Sequence, residues 1–246
     1  MSQIRTNPAR RLHALLVKAL SGECQNKTTA VAISNLFGVP ENDALGIYRS
    51  FSKLLQLVAD TEKCVALIPG GLATAYAHCF PPIYQTLGLI QFNGNWAFNP
   101  NTVRSQEIAL LQLAGEALND IVPENVIEAT ELETLSAEFL ELRNDIGNAE
   151  ISIKLKALLL QELSRIIDSI GDYKVGGAAG IKEATASAYG RIMVDKEILF
   201  PEMENPWVTK FYTAVGRAAD VSSVALLANQ LGWKAAEILQ LVLSHQ

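Results

Sequence analysis

The sequence lacks the short motifs that mark the best-known classes of enzyme site. It contains no GxSxG, GxxxxGK[ST], GxGxxG, HExxH or ExxH pattern. These patterns belong to serine hydrolases, to phosphate and dinucleotide sites, and to metal centres. Their absence favours a protein that is not an enzyme, and we predict no catalytic residue, no metal ligand and no cofactor.

Charged side chains are missing from Cys64 to Val103, although 19% of the whole chain is charged. A stretch this long without a charge is expected to form core, partner surface, ligand pocket or membrane contact. Its prolines and glycines argue against a transmembrane helix. A membrane-active effector remains an alternative because the C-terminal region is also apolar, although its uncharged run from Val221 to Trp233 is short and partly polar.

Cysteine is scarce, since the chain has only Cys24, Cys64 and Cys79, and none of them forms a CxxC pair. The basic N-terminus leads into an amphipathic pattern and not into the apolar segment of a signal peptide. We therefore expect reduced thiols in a cytoplasmic protein.

Histidine is equally scarce, with three in the chain, and His78 is the one inside the charge-free stretch. Its neighbour Cys79 would make a nucleophile–base pair or two zinc ligands, but adjacent helical residues point about 100° apart. A partly buried histidine whose ring nitrogens are hydrogen-bonded, with no catalytic or metal role, is the simpler interpretation. The alternative is an apolar pocket that binds or turns over a small molecule, with these candidate lining residues: Tyr76, His78, Cys79 and Tyr84.

The net charge of −6 and the pI near 5.2 argue against a nucleic-acid-binding protein. Residues 30–49 faintly resemble a helix-turn-helix, but Glu41 and Asp43 would face the phosphates. Between Glu116 and Glu150 there are ten acids and one base, which indicates a solvated helix face or a surface that steers a partner. Three of these acids, Glu138, Glu141 and Asp145, share one helix face, and a solvated face is favoured over a carboxylate metal site.

Apolar residues recur at helical spacing along nearly the whole chain, which predicts an all-α fold of about nine helices. We expect an N-terminal helical subdomain over residues 1–120 and a C-terminal antiparallel helical subdomain over 121–246, with one continuous domain as the alternative. Asn93–Gly94 stands between alternating apolar residues, so a small β-hairpin near residues 90–98 is weighed against an ordered loop.

Two of the predicted helices have distinctive apolar patterns. A helix from about Glu41 to Leu67 has an apolar stripe, and a helix after Pro123 has a heptad-like seam suited to an antiparallel neighbour. The stripe comprises Leu45, Tyr48, Phe51, Leu55 and Val58. The seam comprises Leu132, Leu135, Phe139, Leu142 and Ile146.

Six of the seventeen aromatic residues fall in the charge-free stretch. Interface centres are rich in aromatic residues and poor in charge, and the turn at Asn93–Asn95 should lie near the surface. We therefore take Phe92, Trp96 and Phe98 as candidate interaction residues for a protein partner or for self-association. The competing interpretation is that these aromatics fill the core.

Three segments resemble a loosely defined group of bacterial all-helical proteins without an assigned activity. They are Leu36–Pro40 with the helix from Tyr48 to Leu57, Leu142–Ile146 running into Leu155–Leu159, and Tyr173–Gly176 with Gly180–Ala184. The resemblance implies a bacterial cytosolic helical protein, one component of a multi-gene system such as phage defence. It carries no site residues. The leading hypothesis is therefore a non-enzymatic interaction module, adaptor or subunit.

Overall fold

The computed structural model describes residues 5–194, 202 and 204–222. The described chain is all-α, as predicted, and forms two compact units: residues 5–123, and the described residues from 124 onward. Two short extended segments, Arg5–Thr6 and Glu124–Asn125, complete the regular structure. Among the described residues no helix is long and apolar enough to cross a bilayer.

The first unit contains six α-helices and a short 3₁₀ helix. These are α1 (Pro8–Ala19), α2 (Thr29–Phe37), α3 (Ala44–Val65), α4 (Leu72–Ala77), α5 (Phe80–Gly88), α6 (Ser105–Ala117) and the 3₁₀ turn Leu118–Asp120. Helix α1 is central and packs against α6, α3 and α2, while α3 also contacts α4 and α5. The largest buried side chains of this unit include Phe80, Phe98 and Leu12.

Side-chain caps fix where the first three helices begin. Asn7, Thr28 and Asp43 each accept a hydrogen bond from a backbone N–H in the first turn of the helix that follows. Asn7 is fully buried and also donates from its amide to the Gly115 carbonyl oxygen at 2.8 Å and to Asn119 Oδ1 at 3.1 Å. The start of α1 is thereby tied to the end of α6.

The predicted apolar stripe of α3 is wrong in register. The buried residues of the helix are Ile47, Ser50, Leu54, Leu57, Val58, Thr61 and Val65. Of the predicted stripe, Val58 is buried and Phe51 is half-buried, whereas Leu45 is 60% exposed, Tyr48 53% and Leu55 38%. Helix α3 therefore carries two apolar stripes, and the core covers only one of them.

Residues 90–98 form an ordered loop and not the β-hairpin that was weighed against it. Gly94 N donates to Gln91 O at 2.9 Å and closes the turn, but the loop pairs with the segment before α2. Thr29 N donates to Gly94 O, and Trp96 N donates to Lys27 O, both at 2.9 Å, around an isolated antiparallel bridge from Thr28 to Asn95. The hydrogen-bonding partners of the loop are thus far away in sequence.

The described residues of the second unit form α7 (Ala129–Asn148), α8 (Ile153–Gly171), α9 (Tyr173–Val194) and α10 (Pro206–Ser222). Each helix packs against the next, and α10 packs back against α7, so the four helices form a closed array. The heptad-like seam of α7 is confirmed: Leu135, Phe139, Leu142 and Ile146 are buried, and Leu132 is half-buried. Leu155, Leu159 and Leu163 of α8 share this core with Phe211 and Val215 of α10.

Helix α9 is kinked at Gly177, where φ is +61°. A left-handed backbone is accessible to glycine without steric cost, so the kink falls where the sequence permits it. The predictions for the C-terminal segment after Ser222, including its uncharged run, lie outside the described residues.

Candidate functional site

The candidate interaction residues lie on one loop, Ile90–Asn99, which we call the aromatic loop. Its backbone is held by the bridge to Thr28. Trp96 is 7% exposed, and its indole N–H donates to the carbonyl oxygen of Ala19 at 2.9 Å. Phe98 is 1% exposed, with its ring 5.2 Å from that of Trp96. The expectation that this part of the chain is exposed is therefore wrong for Trp96 and Phe98, which anchor the loop in the core.

Phe92 is the aromatic residue of the loop that reaches the surface. Its half-buried ring lies 4.3 Å from the ring of Tyr48 and 5.3 Å, edge-on, from that of Phe51, measured between centroids. Both partners belong to the exposed stripe of α3. Phe92 therefore joins the stripe, and we call Leu45, Tyr48, Phe51, Leu55 and Phe92 the exposed apolar face.

A second contact places α5 beside the same side of α3. The hydroxyl of Tyr84 donates to Glu62 Oε2 at 2.8 Å. Because Tyr48 and Glu62 are about four helical turns apart, they lie on one side of α3. The exposed apolar face is consequently bordered by the aromatic loop near Tyr48 and by α5 near Glu62, while Arg49 and Gln56 occupy the neighbouring polar side.

The charge-free stretch that contains this loop is core in part and surface in part. Phe80, Ile83 and Leu87 of α5 are buried, whereas no residue of α4 is. Three leucines of the stretch are more than half exposed: Leu67 at 59%, Leu72 at 53% and Leu89 at 59%. The stretch therefore does not fill the core along its whole length.

The four candidate pocket residues lie at different depths. Cys79 is fully buried, Tyr76 is half-buried, and His78 and Tyr84 are exposed. Burial raises the pKa of the Cys79 thiol to about 12, and nearby Glu107 and Glu62 act in the same direction. Partial desolvation of its hydroxyl, together with the hydrogen bond to Glu62, raises the pKa of Tyr84 to about 12. The raised pKa of the Cys79 thiol disfavours the thiolate that a cysteine nucleophile needs at neutral pH.

A polar pocket was not predicted from the sequence. It has a volume of about 340 Å³ and is lined by Gln25, Asn26, Asn95, Trp96, Phe98 and Asn99. We call it the amide pocket, because four of its six lining side chains are carboxamides and none is charged. Two of the candidate interaction residues, Trp96 and Phe98, form part of its wall.

The second unit has a groove of about 430 Å³ between α7 and α10. Glu138, Glu141 and Asp145 line it from α7, as their shared helix face suggested, and Lys210 and Arg217 line it from α10. Arg217 donates to Glu138, and Lys210 Nζ lies 4.3 Å from the centre of the Trp207 ring. In the described part of the chain no three His, Cys, Asp or Glu side chains are grouped to hold a metal ion.

Comparison of the chain with protein families, with curated proteins and with solved structures gives no match.

The second apolar stripe of α3 is the sequence signal that indicates the exposed apolar face. Helix α3 has more apolar positions than one core-facing side accommodates, since Leu54 and Leu55, and likewise Ile47 and Tyr48, stand side by side.

Proposed function

We propose that this protein is a non-enzymatic helical interaction module that binds a protein partner through the exposed apolar face. The observation that carries the proposal is the second stripe of α3, where Leu45 is 60% and Tyr48 53% exposed on a helix already buried on another side. Complete burial of a large apolar side chain contributes about 1.5 to 3 kcal/mol, so covering the remaining exposed part of each against a partner would contribute roughly half of that. Such a stripe, with anchors one turn apart, suits the apolar side of a partner helix.

The charges beside the face support a protein partner over a membrane or nucleic acid. Arg49 and Lys53 stand along one edge of the face, and Glu62 stands at its end, in line with Tyr48. A mixed rim of this kind surrounds the centre of many protein interfaces, whereas a phosphate-rich surface would select one sign.

Buried thiols support a reducing compartment. Cys24 and Cys79 are buried and unpaired, and burial raises the pKa of each thiol. We propose a bacterial cytoplasmic location and a role as one subunit or adaptor of a multi-component assembly, which the resemblance to bacterial helical proteins supports.

The test compares two matched variants of the full chain in a pull-down from the native host, read by mass spectrometry. Tyr48→Ser alters the exposed apolar face, and Leu113→Ser alters an equally exposed leucine of α6, at 52%, that is not part of this face. We expect a stoichiometric partner with the wild type and Leu113→Ser, and at least a tenfold loss with Tyr48→Ser. Sedimentation of the purified protein shows whether the partner is a second copy of this chain, because a dimer sediments faster than a monomer.

Equal recovery of the partner by both variants, at unchanged thermal stability, would exclude the exposed apolar face as the docking site.

A further inference from the structure

Backbone hydrogen bonds hold together the two segments that form the amide pocket. Gln25 and Asn26 come from the connection between α1 and α2, and the other lining residues come from the aromatic loop. The two segments are joined by the hydrogen bonds from Thr29 N to Gly94 O and from Trp96 N to Lys27 O, both 2.9 Å long. A preformed pocket binds without the entropic cost of ordering its walls.

Some of the carboxamides serve the scaffold. Gln25 Nε2 donates to Leu20 O at 2.6 Å, and Asn99 Nδ2 donates to Ala97 O at 3.1 Å. Asn99 Oδ1 also accepts from Asn101 N at 2.9 Å. These bonds hold the side chains of Gln25 and Asn99 in place and leave the Gln25 carbonyl oxygen as an acceptor.

Two other carboxamides of the lining are exposed to solvent. The side chains of Asn26 and Asn95 make no hydrogen bond to any residue that the structure describes, so a ligand that binds them displaces water and breaks no contact of the fold. Each supplies an N–H₂ donor and a carbonyl acceptor. The pocket therefore offers donors and acceptors together, with no charge among its lining residues.

This chemistry selects against several ligand classes. Phosphates and carboxylates bind best to Arg or Lys, which do not line the pocket. A nucleobase needs an open aromatic face for stacking, but Trp96 is 7% and Phe98 1% exposed. A volume near 340 Å³ also lies at the lower end of ligand pockets, which span about 300 to 1,000 Å³.

We propose that the amide pocket binds a neutral sugar, one saccharide unit in size. Each sugar hydroxyl can donate and accept a hydrogen bond, as a carboxamide can. The hydroxyls around one sugar ring can therefore bond to carboxamides on different sides of the pocket. Trp96 and Phe98 contribute the apolar part of the wall. This site is independent of the proposed protein-binding face.

The test titrates the full-length protein with neutral mono- and disaccharides while recording ¹H–¹⁵N spectra. The side-chain amide signals of Asn26 and Asn95 and the indole signal of Trp96 report on the pocket. A hexose phosphate, a nucleoside and an uncharged blocked dipeptide serve as probes of the competing classes. We expect saturable shifts at these three side chains with at least one neutral sugar.

Variants separate binding from folding. In Asn26→Gly with Asn95→Ala, both unused carboxamides are removed, and glycine accepts the backbone of residue 26, where φ is +61°. We expect at least a tenfold weaker sugar affinity at unchanged thermal stability, while Asn42→Ala, an exposed asparagine outside the pocket, binds like the wild type. The proposal is overturned if no neutral sugar gives a saturable shift, if the double variant binds as tightly, or if one of the competing probes binds more tightly than every sugar.

Discussion

The side-chain amide of Asn7 donates to the backbone carbonyl oxygen of Gly115 across 2.8 Å, and this bond joins the first helix of its unit to the last long one. Glycine at 115 permits α1 and α6 to approach this closely, because a Cβ at that position would lie 2.9 Å from Arg10 Cγ. The same asparagine caps α1 through Arg10 N, so one buried side chain fixes both a helix start and a helix–helix contact.

Replacing Asn7 should destabilise this unit strongly. Asn7→Ala removes the cap and leaves the buried Gly115 carbonyl without its donor, which together should cost about 2 to 3 kcal/mol. Urea unfolding followed by circular dichroism measures the change. Asn42→Ala, at an exposed position, should stay within about 0.5 kcal/mol of the wild type. Equal stability of the two variants would contradict the role of Asn7.

Two adjacent leucines of α3 test the register of its core stripe. Leu54 is 1% exposed and Leu55 38%. Leu54→Ala should lower the free energy of unfolding by about 2 to 5 kcal/mol, because it leaves a cavity, whereas Leu55→Ala should cost less than about 1 kcal/mol. Denaturant titration compares the two directly. If Leu55→Ala is the more damaging change, the stripe predicted from the sequence is the buried one after all.

The prediction for α3 failed for a physical reason. Periodicity identifies an apolar stripe, but it does not say which of two neighbouring stripes faces the core, since that depends on the helices packed around it. The α7 seam had no such competitor, because the rest of that helix is rich in acids, and its buried side was predicted correctly. Asn93–Gly94 suggested a local hairpin, but the loop instead forms an antiparallel bridge with Thr28, which lies much earlier in the sequence.

The same limit applies to the candidate site. Phe92 is half-buried, whereas Trp96 is buried, because its indole N–H donates to the carbonyl oxygen of Ala19, 77 positions earlier in the sequence. The amide pocket forms where the aromatic loop meets the segment before α2, and the hydrogen bond from Thr29 Oγ1 to Asn95 O at this junction joins residues 66 positions apart. No sequence pattern within either segment predicts that the two segments lie side by side.

The Glu107 carboxylate should make stability depend on acidic pH. Hydrogen bonds from Arg104, at 2.7 Å from its guanidinium and 2.9 Å from its backbone N–H, hold the pKa of Glu107 below its ordinary value of 4.5. The unfolded chain then binds the proton more readily, so this stabilisation is complete above about pH 4.5 and disappears as the pH falls through the lower folded value. Thermal unfolding from pH 6 down to pH 3 should show the loss.

Glu107→Gln tests the assignment, because it removes the ionisation and keeps an acceptor. The slope of melting temperature against pH should flatten in this variant and persist in Glu116→Gln, whose exposed carboxylate pairs with Arg10. A slope that Glu107→Gln leaves unchanged would assign the acid sensitivity to other carboxylates.

Thiol labelling should distinguish the three cysteines. Cys24 and Cys79 are buried, and burial raises the pKa of both thiols, that of Cys79 to about 12. Cys64 is half-buried. A maleimide or disulfide reagent at neutral pH should therefore modify Cys64 first, and all three only in denaturant. Rapid labelling of native Cys79, read by peptide mass spectrometry, would reopen the catalytic interpretation of that residue.

The 3.1 Å hydrogen bond between Asn7 and Asn119 brings the entry and exit of the first unit together. Domains whose two ends are neighbours tolerate circular permutation and insertion into other chains. A short linker could join the ends near Arg5 and Pro123, and the exposed Gly70–Gly71 turn could open as the new terminus. The first unit thus has the geometry of a module that can be inserted into other protein chains, by evolution or by an engineer, with its apolar face and its pocket intact.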